Sequence, residues 1–64
     1  MNLTQKQIEV IELIADGKTS RDIAEIIGLS KHGIDERIKK ALEATGAANS
    51  VALVAMSLRK GWIK

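Results

Sequence analysis

The strongest constraint on this chain is its punctuation, in which residue types that begin helices and glycines that end them alternate at short intervals with no proline anywhere. Thr4 followed by Gln7 forms a capping box: the hydroxyl accepts from the backbone of the third helical residue and the amide reaches back to the cap. Asp16-Gly17 supplies a stop. Thr19 with Asp22 is a second, weaker cap, and Gly28 ends the segment it starts. Ser30 caps a third helix that stops at Gly46, and Asn49 or Ser50 caps a fourth that runs to about Lys60 before Gly61. The punctuation therefore predicts four helices at about 4–16, 20–27, 31–45 and 50–60, joined by short connections.

The apolar spacing agrees. Gln7, Val10, Ile11, Ile14 and Ala15 share one face of the first helix, widened by Ile8. Ile23, Ala24, Ile26 and Ile27 fill the second, and Ile34, Ile38, Ala41, Leu42 and Thr45 line a stripe of the third, opposite His32, Asp35, Glu36, Lys39, Lys40 and Glu43. The fourth helix is apolar on two sides. Leu53, Val54 and Ser57 fall on one, and Val51, Ala55, Leu58 and then Trp62 on another, so it needs two burial surfaces. One is the core of the domain and the other is most economically a second copy of the chain.

At 64 residues this is a single all-α domain, 1–64, whose folding buries only roughly 60% of the unfolded surface. Cysteine is absent and His32 has no second histidine or thiol to share a metal, so neither a disulfide nor a metal staple is expected, and oligomerisation is the remaining one. No cofactor is expected either. Glu9 and Glu12 lie on a solvated face without a nucleophile or a phosphate loop, which argues against an enzyme. No apolar run reaches the roughly 18 residues of a membrane span and MNLTQKQ does not read as a signal peptide, so the expected location is cytoplasmic. A net charge of +2 permits nucleic-acid binding without arguing for it.

A short helix, a tight turn at Gly28-Leu29-Ser30 and a longer helix with a polar face make a helix-turn-helix pattern. It sits within a longer match: Leu3-Thr4, Glu9-Val10-Ile11, Ala15-Asp16-Gly17-Lys18-Thr19, Ile23-Ala24, Gly28-Leu29-Ser30, Ile34, Gly46, Asn49, Val54 and Gly61-Trp62-Ile63. Through these residues the chain resembles the DNA-binding domain of the LuxR/FixJ/GerE transcriptional regulators. Gly17-Lys18-Thr19 and Ala44-Thr45-Gly46-Ala47-Ala48-Asn49 look closest to the quorum-sensing branch, here as a stand-alone domain without a sensor.

The resemblance implies a cytoplasmic, nucleoid-associated regulator that places its third helix in the major groove of double-stranded DNA and forms a homodimer through its fourth. By position, the DNA-binding residues are Arg21, Ser30, Lys31, His32, Asp35, Glu36, Lys39 and Lys40. Lys39 is the best placed for guanine O6/N7, while Lys40, Lys31 and Arg21 suit phosphate, the last two beside the helix N-terminus at Ser30. Val51, Ala55, Leu58 and Trp62 make the dimer surface. Gly33 stands where the family usually has threonine, Asp35 where many members carry a cation, and Ser50 in place of the usual arginine. These departures motivate an alternative: an interaction module that pairs through its fourth helix with a longer LuxR-type regulator and inactivates it.

Overall fold

The computed structural model describes residues 3–64, so Met1 and Asn2 of the expected domain lie outside the described residues. Four helices follow in order, α1 Gln5–Ala15, α2 Ser20–Ile27, α3 Lys31–Thr45 and α4 Ser50–Arg59. The expected outer limits of α1 and α4 are trimmed by the caps themselves. Thr4 and Asp16 flank α1, and Lys60 is the C-cap of α4.

The caps explain why each helix begins where it does. In the first capping box the Gln7 N–H donates to Thr4 Oγ1 at 3.1 Å and the Thr4 N–H donates to Gln7 Oε1 at 2.8 Å. The Thr19 cap is fuller than its sequence suggests. Thr19 and Asp22 complete a reciprocal box with both bonds at 3.1 Å, because an aspartate at the third helical position still reaches the cap backbone. Of the two candidates for α4, Asn49 is the cap, accepting from the Ala52 N–H at 2.9 Å.

Two small cores share these helices. In the first, Leu3, Ile8, Ile11, Ala41, Leu53 and Ile63 are buried together, with Trp62 and Val54 packed against them. In the second, Val10, Ile23, Ala24 and Ile34 are buried beneath Leu13, Ile14, Ile27 and Ile38. Helix α1 is the wedge between them, sending Ile8 and Ile11 one way and Val10 the other. Helix α3 straddles both: Ile34 near its start rests on the α2 side and Ala41 near its end on the α4 side.

Three expected positions differ. Ile26 is 57% exposed, because the inward stripe of α2 is centred on Ile23, Ala24 and Ile27 and Ile26 sits roughly a quarter-turn off it. Ala15, the last residue of α1, is exposed. Trp62 is half-buried against the first core and so differs from the exposed Val51 and Leu58 with which it is grouped by sequence. Ser57, fully buried, donates its hydroxyl to the Leu53 carbonyl at 2.7 Å, so a polar group is tolerated in the core without an unpaired atom. Among the described residues no single helix is long and apolar enough to cross a membrane.

Candidate nucleic-acid interface

The turn between α2 and α3 sets the angle at which α3 is presented. Gly28 adopts φ +86°, the left-handed region open to glycine, and its N–H and that of Leu29 both donate to the Ala24 carbonyl at 2.8 and 3.0 Å. The chain then needs only Leu29 before Ser30 caps the next helix, whose hydroxyl accepts from the Gly33 N–H at 3.0 Å. The backbone N–H groups of Lys31 and His32 keep no partner among the described residues, so the positive end of α3 faces outward.

Burying Ile34 and Ala41 turns the other face of α3 to solvent. His32, Glu36, Lys39 and Lys40 are exposed on it, as are Ser30 and Lys31 at its start. At helical spacing His32, Glu36 and Lys39 follow one another along a single line, with Lys40 beside Glu36. Arg21 is exposed in the first turn of α2.

Asp35 is placed differently. It is half-buried, and its Oδ2 accepts from the Lys31 ammonium at 2.7 Å, one turn back along α3. The hydrogen bond from Lys31 first, and the influence of the Ser20 hydroxyl second, hold its carboxyl below the ordinary aspartate value of 3.8. Ser20 opens α2, so the neighbouring helix of the motif contributes to holding this carboxyl charged. An i, i+4 Lys/Asp spacing is visible in the sequence, but the contribution of Ser20 needs the packing angle of α2 on α3 and is not.

Among the described residues Lys31–Asp35 is the only ion pair, so Arg21, Lys39 and Lys40 are not engaged by carboxylates. The charge is also divided along the chain. Residues 1–30 carry three basic and five acidic side chains, whereas residues 31–64 carry seven basic and three acidic. The modest net charge conceals a positive half that contains α3 and α4. No group of three or more His, Cys, Asp or Glu side chains lies together as a metal-ligand set among the described residues.

The family model described as "Bacterial regulatory proteins, luxR family" matches residues 1–57. The chain belongs to the luxR family. Within it, the chain is 34% identical over 62 residues to the "Transcriptional regulatory protein DesR" of Bacillus subtilis (strain 168), covering 97% of this chain and 31% of that protein. It is 30% identical over 59 residues to the "Uncharacterized response regulatory protein YgeK" of Escherichia coli (strain K12), covering 92% and 40%. It is 27% identical over 62 residues to the "Transcriptional regulatory protein DegU" of Brevibacillus brevis, covering 97% and 26%. The chain thus spans well under half the length of these luxR-family relatives, which are named as regulatory proteins and not as enzymes. None of them supports the expected quorum-sensing branch, and one is named as a response regulatory protein. No solved structure matches the chain significantly.

The family match covers α1 to α3 and most of α4 without assigning a role to any one residue. Beyond the residues expected from sequence, Ser20 bears on the site only through its effect on the Asp35 carboxyl.

Proposed function

We propose that this luxR-family domain is a sequence-specific DNA-binding transcriptional regulator that works as a homodimer, with α3 of each copy in the major groove. The observation that carries the reading is the face of α3, where exposed Lys39 and Lys40 stand clear of any ion pair on a helix supported along its length by two cores. Lys39 reads guanine O6/N7, and His32 and Glu36 lie along the same line toward base edges. Lys40, Arg21 and Lys31 meet phosphate, the last beside the outward-facing N–H groups of α3. Such a regulator works where the DNA is, in the cytoplasm on the nucleoid.

Asp35 is better suited to positioning than to reading bases. Its carboxylate is already committed to Lys31, so a cytosine N4 group would have to compete with that ammonium.

Dimerisation is supported by the surface of α4. Val51 is 80% exposed and Leu58 50% exposed on the outer side of α4, flanking the exposed Ala55. Two such faces together give an apolar, two-fold contact.

The same α4 face also fits the second reading, in which it pairs with a longer LuxR-type regulator and inactivates it. The observation in its favour is that Asp35 occupies Lys31, one of the cations at the start of α3. Fluorescence anisotropy with random DNA and with sequences selected from a random pool, at two salt concentrations, separates the two. Tight, salt-sensitive binding to a two-fold site supports the homodimeric regulator, and no binding even at low salt overturns it.

A further inference from the structure

The exposed Ile26 opens onto a feature that neither α3 nor α4 helps to build. Between α1 and α2 runs a groove of about 530 Å³ lined by Glu9, Glu12, Leu13, Ile26 and Ile27. Leu13 and Ile27 form its floor, half-buried over the second core, and Ile26 stands on its rim. Both glutamates are exposed, neither is in an ion pair among the described residues, and no lysine or arginine contributes to the lining. Three aliphatic side chains flanked by two free carboxylates make a strip that repels DNA and attracts cations that carry apolar surface.

We propose that this groove is a docking site for a basic amphipathic helix of a protein partner. The complementarity is specific in kind. Apolar side chains at i, i+3 and i+4 of the partner seat on Leu13, Ile26 and Ile27, and flanking lysines or arginines reach Glu9 and Glu12. The groove is open to solvent, so a small molecule would leave much of its surface in water, whereas a helix laid along it covers the aliphatic strip. Its position in the half of the chain with excess acid leaves α3 free for DNA and α4 free for a second copy. The site goes beyond the DNA-binding reading and does not depend on it.

The test uses the purified protein without DNA, labelled with nitrogen-15, and a synthetic helical peptide with leucines at i, i+3, i+4 and i+7 and lysines elsewhere. Saturable amide shifts at Leu13, Ile26 and Ile27 are expected, with no such shifts from the same peptide bearing glutamates for lysines. The double variant E9Q/E12Q is expected to weaken binding about three- to tenfold, as for the loss of two exposed ion pairs. Ile26→Ser weakens it comparably while thermal unfolding is unchanged, because Ile26 is exposed. Lysine-peptide shifts centred on Val51 and Leu58, equal binding of the glutamate peptide, or groove shifts produced by concentrating the protein alone would each overturn the proposal, the last in favour of a second copy.

Discussion

The Lys31 ammonium sits 2.7 Å from the Asp35 carboxylate, one turn apart at the start of α3. In the order lysine then aspartate, the pair opposes the helix dipole rather than following it, so it adds little to helix stability. In the proposed complex its consequence falls on DNA, because a phosphate must compete with Asp35 for Lys31. Asp35→Asn is expected to raise affinity for random DNA about three- to tenfold at low salt. Anisotropy titration checks this, and the salt slope should steepen as Lys31 becomes available.

The proposed division of labour on the exposed face predicts two different losses. Lys39→Ala is expected to cost about 1–3 kcal/mol on the selected sequence and to relax preference at one base position. Lys40→Ala should weaken binding to selected and random DNA alike and reduce the salt slope by about one. Competition titrations on a panel of single-base variants separate these patterns, and identical behaviour of the two variants would refute the assignment.

Most of this fold was legible because the caps are local. Thr4, Ser30 and the alternatives Asn49 and Ser50 announce helix starts with side chains that bond three residues ahead, and no tertiary information is needed to see it. What could not be read was relative placement. Ile26 looks like a core residue in an eight-residue apolar helix until the angle of α2 on α1 shows which isoleucines turn inward. The influence of Ser20 on Asp35 depends likewise on how α2 crosses α3, and the α1–α2 groove exists only once both helices are packed.

The outer face of α4 predicts a separation of stability from assembly. Val51→Asp should leave urea denaturation of the isolated domain within about 0.5 kcal/mol of the parent, since the side chain is 80% exposed. The same change places a charge in the proposed contact and should weaken dimerisation about a hundredfold. Light scattering across a concentration series reads the result, and a monomer for the parent protein even at high concentration and on DNA would remove the role given to Val51, Ala55 and Leu58.

Gly33 lies within α3 at an ordinary helical φ, and a Cβ there would meet Ser30 Oγ at 3.4 Å and Leu29 Cβ at 3.7 Å, both ordinary contacts. Gly33→Ala should therefore stabilise the domain by about 0.5–1 kcal/mol through helix propensity. The urea midpoint should rise with an unchanged denaturant slope.

Acid should loosen the start of α2. The Asp22 carboxyl is held below 3.8, chiefly by the backbone N–H of Thr19 and then by its side chain. A lowered carboxyl pKa stabilises the folded state at pH above the ordinary value, and that contribution disappears as pH falls through the lowered value. The thermal midpoint is accordingly expected to fall below about pH 4, and Asp22→Ala should lower it at neutral pH while flattening its acid dependence.

The support of α3 by two cores has a consequence for how such a protein diversifies. Ile34 and Ala41 anchor the helix at both ends, and His32, Glu36, Lys39 and Lys40 contribute nothing to either core. The residues proposed to specify an address on DNA are thus insulated from those that specify the shape. A lineage can rewrite the address one side chain at a time, and the scaffold that delivers it stays the same.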